Sequence, residues 1–310
     1  MKTIIALTIL MLGTTFAGAQ ISTAPTPEWK VIFKVIDDAG NPVANAKASV
    51  GYLGTNQIAG LTDTNGVFIA SHRDKSYGLG FVVTKDNYYT TRQTYEMGWA
   101  YQYKTNESKW NPTVNIVLKR IVKPIPMYAK SVNLAMPIFD KSVGFDFELG
   151  DWVGPYGKGV NSDIVFTAHF DKRSRLDFDY KLTVSFPKQG DGIQVFNVPN
   201  YYLHSQGSAL RSNEEAPEAD YQSEIVREHN ERPDKILKYD NDPERIYIFR
   251  VRTKVDDRGN IVSAHYGKIY GDFMQFKYYL NPTPNSRNIE FDPKQNLMKN
   301  LKFDEEVKAP

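Results

Sequence analysis

The sequence predicts an all-β protein made of two β-sandwich domains. Apolar and polar residues alternate with period two through most of the chain. Turn signals rich in Asp, Asn, Gly and Pro separate these runs. Aromatic residues are abundant, with 19 Tyr and 17 Phe in 310 residues, and they suit half-buried pleated surfaces.

The elements follow in chain order. Trp29, Val31, Phe33 and Val35 share one face of a first strand, opposite Lys30 and Lys34. Asp37-Asp38-Ala39-Gly40-Asn41-Pro42 is a dense turn signal, after which Ala46, Ala48, Val50 and Tyr52 alternate. Asp63-Thr64-Asn65-Gly66 is a second tight turn, in which Asp63 can accept backbone N–H groups and Gly66 can take positive φ. Further strands are expected over 67–70, 79–83, 88–95 and 113–118. Several short strands separated by turns argue for a sandwich.

The two turns and their flanks also carry a resemblance. The run from Val35 to Ala46, with its Asp-x-x-Gly-x-Pro turn, is followed by Leu61-Thr62-Asp63-Thr64-Asn65-Gly66-Val67-Phe68. Together they resemble the carboxypeptidase regulatory-like domains, over about residues 28–120. The resemblance implies a transthyretin-like or Ig-like sandwich serving as an accessory module for folding, spacing or adhesion. No catalytic residue carries over with it. Asn87-Tyr88 departs from the Gly-Tyr common in that family, and Asn tolerates the left-handed region.

Residues 121–127, with prolines at 124 and 126, read as a linker to a second domain over 128–300. There Val143, Phe145, Phe147 and Leu149 oppose Asp146 and Glu148. Phe178, Tyr180, Leu182, Val184 and Phe186 oppose Asp177, Asp179, Lys181, Thr183 and Ser185. Such strands have one wet face and build antiparallel sheets, here a larger sandwich or a jelly roll. Residues 205–244 read as a charged insertion with one short helix over 221–229. Residues 245–255 and 261–270 read as a long hairpin closed by the five residues 256–260. Phe273 to Leu280 follow as a strand. From Asn281 the chain is expected to wrap the surface and fray, with 301–310 as its tail.

The first residues predict export. Lys2 precedes an apolar stretch from Ile4 to Leu12, and Ala17-Gly18-Ala19 fits a cleavage site, placing the mature start at Gln20 after a signal over 1–19. Residues 20–27 then form a linker. The expected compartment is the periplasm, the cell surface or the extracellular space, in a bacterium. No segment is long and apolar enough to predict a membrane-spanning helix in the mature chain. The lack of cysteine excludes disulfides, thiolate metal sites and cysteine nucleophiles. A net charge of +2 without long single-sign runs gives no case for nucleic acid.

Motifs for chemistry are sparse. His72, His169, His204, His229 and His265 form no metal-ligand spacing, so no metal or cofactor is predicted. Asp146, Glu148 and Asp151 on one stretch and Asp177 and Asp179 on another could supply the paired carboxyl groups of a glycosidase, or simply the solvated face of a sheet. Asp256-Asp257-Arg258-Gly259-Asn260 and Asp240-Asn241-Asp242 are oxygen-rich but read as turns. Gly154-Pro155-Tyr156-Gly157-Lys158-Gly159 lacks P-loop spacing, and no Gly-x-Ser-x-Gly elbow occurs. No catalytic residue is therefore assigned. Trp99, Tyr101 and Tyr103 alternate in a polar stretch with Trp110 close behind, a candidate ligand or interface face. The expected function is an exported, non-catalytic structural or interaction protein with a protein or polysaccharide partner. The alternatives are a carbohydrate-binding module or a glycoside hydrolase.

Overall fold

The computed structural model describes residues 28–52, 55–73, 78–96, 113–133, 135–198, 207–240, 242, 245–273 and 275–310. They form strands and connecting turns with no helix among them. The first sandwich contains β1 (Glu28–Asp37), β2 (Lys47–Tyr52), β3 (Thr55–Leu61), β4 (Val67–Arg73), β5 (Gly78–Thr84), β6 (Thr91–Glu96) and β7 (Thr113–Leu118). One sheet has the order β4-β1-β7, with β7 parallel to β1. The other runs β3-β2-β5-β6, all antiparallel.

Alternation delivers the core of this sandwich. Val31, Phe33 and Val35 from β1 meet Ala48 and Val50 from β2, Phe81 and Val83 from β5, and Val114, Ile116 and Leu118 from β7. Both turns take their expected form. Asp37 accepts the N–H groups of Ala39 at 3.1 Å and Asn41 at 2.8 Å, and Asp63 accepts those of Asn65 and Val67. The Arg120 guanidinium, 2.8 Å from Asp37, and the Asn41 N–H hold that carboxyl down at about 2. Gly66 has φ +72°, and a Cβ there would lie 2.3 Å from the Val35 carbonyl oxygen, so a glycine is required twice over. Asn87 is left-handed at φ 65°.

The second sandwich is larger. Its strands are β8 (Ile125–Asn133), β9 (Ser142–Asp146), β10 (Asp151–Trp152), β11 (Ile164–Ser174), β12 (Asp177–Ser185), β13 (Gly192–Asn197), β15 (Glu224–Arg232), β16 (Lys235–Tyr239), β17 (Arg245–Val255), β18 (Ile261–Gly271), β19 (Gln275–Leu280) and β20 (Phe291–Asn296). One six-stranded sheet has the order β10-β9-β11-β12-β15-β16, and the other β13-β17-β18-β19-β8-β20. Between them lie Phe145, Phe147, Phe166, Phe249, Phe276 and Tyr278. Phe147 and Phe249 stack across the layers with centroids 4.5 Å apart. The hairpin of β17 and β18 turns through residues 256–260, as the sequence predicts. Asp256 accepts the N–H groups of Arg258 and Asn260 there.

Three expectations are corrected. The short helix over 221–229 is absent, because Glu224–Arg232 is β15, paired along its length with β12. The insertion over 205–244 supplies β14 (Gly207–Ser208), β15 and β16, and β14 adds to the first sandwich at β6. The C-terminal stretch does not fray: β20 pairs with β8, Val307 is buried, and the Ser131 N–H donates to the Glu305 carbonyl. The two sandwiches also meet through Glu290, which is fully buried. It accepts the Tyr89 hydroxyl at 2.7 Å and the N–H groups of Val122 and Lys123.

Candidate ligand-binding face

The carboxylates singled out in the sequence fall into two separate groups, each gathered by arginine. Asp146 is buried, contrary to the solvated-face reading. It accepts the N–H groups of Glu148, Leu149, Val160 and Asn161, and Arg252 Nη2 lies 3.2 Å away. Burial pushes its carboxyl up, and those backbone donors outweigh burial and hold it below the usual carboxylate range. Arg252 also bonds to Glu148 and to both oxygens of buried Asp163. Burial works against the Arg252 charge, but Asp163 and Glu148 raise its proton affinity further. Arg252 itself sits at φ 57°, where the β17–β18 register shifts. This arrangement ties the turn after β9 to the opposite sheet. Asp146 and Asp163 are buried with their oxygens occupied by donors, and the part-exposed Glu148 is bound by Arg252 and the Tyr128 hydroxyl, so the three are bridged by one cation and do not form a free pair across a cleft. Asp151 caps its own turn, accepting the N–H groups of Trp152 and Lys158.

Asp177 and Asp179 lie on the solvent side of β12. Arg173 bonds to both of them and to Asp171, and Arg232 adds a second cation on Asp179. These guanidinium groups, Arg232 first, hold the Asp179 carboxyl down. Asp240 is shared by Arg227 and Arg245. Among the described residues, no group of three or more His, Asp or Glu side chains is placed to hold a metal ion.

The opposite face of the same strands carries a different array. Register places Phe170 of β11 against Tyr180 of β12, Tyr180 against His229 of β15, and His229 against Tyr239 of β16. Directly paired residues point to the same side of a sheet, so these four rings form one row across four strands. At strand spacing the row is about 14 Å long. Its rings are in contact: Phe170 and Tyr180 lie 6.0 Å apart, and His229 and Tyr239 4.6 Å. Phe178 adds to it, 5.8 Å from Phe170 and 4.8 Å from His229, and Phe139 flanks Phe170 at 5.8 Å. Burial pushes the Tyr180 phenol up to about 12, so its hydroxyl stays protonated.

This row continues the core-facing side of the sheet past the end of its cover. Along β11, Ile164, Phe166 and Ala168 are buried, and every residue from His169 onward is exposed. All five residues of β16 are exposed. Phe170 is 38% exposed, and Ile236, Leu237 and Tyr239 at least 50%. The result is an open aromatic platform, backed on its other side by the ionic network of Arg173 and Arg232.

The sequence-predicted face of Trp99, Tyr101, Tyr103 and Trp110 lies outside the described residues. The observed row escapes sequence reasoning, although alternation places Phe178 and Tyr180 on a strand. The missing information was register, which aligns them with His229 and Tyr239.

No family model matches the chain, and no curated protein matches it. Several solved structures are similar in part. A 3-chlorocatechol 1,2-dioxygenase from Rhodococcus opacus 1CP matches at 12% identity over 32% of this chain, with a TM-score of 0.25. The match spans 62% of the dioxygenase, less than two thirds of its length. A DUF3823 family protein from Parabacteroides merdae matches at 8% identity over 86% of this chain and 100% of its own, with a TM-score of 0.23. A Bacteroides uniformis protein provisionally named as carbohydrate binding matches at 10% identity over 84% and 99%, also with a TM-score of 0.23. Likenesses this low carry no argument about what this chain binds.

Proposed function

We propose that this chain is an exported, non-catalytic binding protein that holds an extended polysaccharide on the Phe170–Tyr180–His229–Tyr239 row. The row itself carries the reading. Sugar rings present C–H faces that stack on aromatic rings, and a straight row of such rings fits a chain ligand better than a compact one. The first sandwich then serves as the accessory module implied by its resemblance to carboxypeptidase regulatory-like domains, and Ala17-Gly18-Ala19 supports export. N-terminal sequencing of secreted protein should begin at Gln20; unprocessed chain confined to the cytoplasm would end the export reading.

The binding test is a pull-down on insoluble polysaccharides and a glycan array, run with the wild type and Tyr239→Ala. Binding by the wild type, reduced at least about tenfold in the variant, is expected. Equal binding by both would remove the row from the account.

One observation favours a second reading, a protein partner. β16 ends its sheet and exposes Ile236 and Leu237 beside Lys235 and Lys238. Such an edge can accept an added strand. Binding to a protein array alone, with no glycan retained, would select it.

A further inference from the structure

One register step inward from the aromatic row, the surface opens into a second feature. Arg227 is two residues before His229 on β15 and so shares its face, and Asp240 directly follows Tyr239. Together with Asn197 of β13, Gln222, and Arg245 and Tyr247 of β17, they line a cleft of about 540 Å³. The cleft thus lies between the end of one sheet and the edge of the other, beside the row.

Its chemistry is mixed and nearly balanced. Arg227 Nη1 and Arg245 Nη1 both bond to Asp240 Oδ1, at 3.1 and 2.8 Å, and Arg245 Nε lies 3.5 Å from Asp242 Oδ2. Glu224 lines the cleft as well, so two cations meet three carboxylates, and the cluster carries a net charge of about −1, which disfavours an anionic occupant. Tyr247 is 1% exposed, and its hydroxyl has no hydrogen-bond partner. A buried hydroxyl left unpaired is costly, so its retention calls for an occupant that bonds to it. An anionic occupant would face Asp240 and Asp242 at close range. A sugar hydroxyl both donates and accepts, and vicinal hydroxyls can bridge a guanidinium and a carboxylate held side by side. Gln222 and Asn197 offer both functions as well.

We propose that this cleft is a second subsite, which takes one uncharged sugar unit branching from the glycan chain held on the aromatic row. Its hydroxyls accept from Arg227 and Arg245, donate to Asp240 and bond to the Tyr247 hydroxyl. The proposal rests on the reading of the row as a polysaccharide platform, and it narrows the ligand to a neutral, branched glycan.

Calorimetric titration of the full chain tests it with three soluble polymers: hydroxyethylcellulose as a linear neutral chain, galactomannan as a branched neutral chain, and polygalacturonate as an acidic chain. Galactomannan should bind most tightly. Tyr247→Phe removes only the unpaired hydroxyl, so the melting midpoint should hold or rise. Its affinity for galactomannan should fall about fivefold, the scale of one hydrogen bond, with hydroxyethylcellulose unaffected. Tyr239→Ala should weaken both neutral polymers. If Tyr247→Phe binds galactomannan like the wild type while Tyr239→Ala weakens both, the cleft assignment is wrong and the row stands. A preference for polygalacturonate overturns the uncharged sugar. If none of the three polymers binds, the row reading fails, and this proposal with it.

Discussion

The two ends of the β9–β11–β12–β15 sheet share one pattern and meet different fates. At one end, Phe145, Phe147 and Phe166 are at most 1% exposed beneath the second sheet, and Arg252 holds two buried carboxylates, Asp146 and Asp163, and the part-exposed Glu148. At the other, Phe170, Tyr180, His229 and Tyr239 occupy the same side of the same strands, with Tyr180 and His229 half-buried and Phe170 and Tyr239 exposed at the two ends of the row. Period two decides which face a side chain takes. Whether that face is covered depends on how far the partner sheet extends, and local sequence does not encode that. The covered end holds the fold; the open end is the row proposed to bind a ligand.

The largest effect that could break this contrast is at Arg252. Arg252→Ala strands Asp146 and Asp163 as buried charges without their cation, and should destabilise the chain by about 3–5 kcal/mol in urea denaturation. A loss under about 1 kcal/mol would mean the clamp does not hold the covered end. The matched phenylalanines come next. Phe166→Ala should cost about 3–5 kcal/mol through loss of a buried ring. Phe170→Ala, four residues further along β11, should cost only about 1 kcal/mol, since its ring is part-exposed and packed only against its neighbours in the row. Equal losses at the two positions would erase the distinction between the ends.

The smallest effect is acid sensitivity. Asp146 titrates below the usual range in the folded chain, so its contribution is whole above the unfolded value of about 4. It drains away as pH falls from there through the folded value. Thermal midpoints of the wild type should therefore drop below about pH 4, with a shallower slope in Asp146→Asn. Parallel slopes would show that this carboxyl contributes nothing to the covered end.

Much of this architecture is legible in the sequence where chemistry is local. The Asp63–Gly66 turn reads correctly because its side chain and its positive φ are needed within four residues. The β17–β18 hairpin reads correctly because Asp256-Asp257-Arg258-Gly259-Asn260 is a strong local turn signal between two long apolar-rich runs, and Asp256 closes that turn on the Arg258 and Asn260 N–H groups. β15 is illegible for the converse reason. Glu224, Arg227, Glu228, His229, Glu231 and Arg232 lie on a strand whose far part has no apolar layer above it, so no alternating apolar signal is required there. Its identity comes from pairing with β12, a contact some forty residues away. The C-terminal stretch reads as polar and loose, yet Ile289, Phe291 and Val307 are buried at isolated positions too sparse to form a pattern. The carboxylate at Asp146 shows the same limit: alternation assigns it to water, while a tight turn after β9 and the reach of Arg252 from the other sheet take it inside.

The most direct test of the open platform combines stability and binding in one variant. Phe170→Ala/Tyr239→Ala removes both ends of the row. It should melt within several degrees of the wild type, since both rings are exposed and outside the core, and its affinity for whichever glycan the wild type retains should fall by at least about a hundredfold. A midpoint lowered as far as in Phe166→Ala, with glycan binding intact, would show that the row is part of the core and not a surface for a ligand.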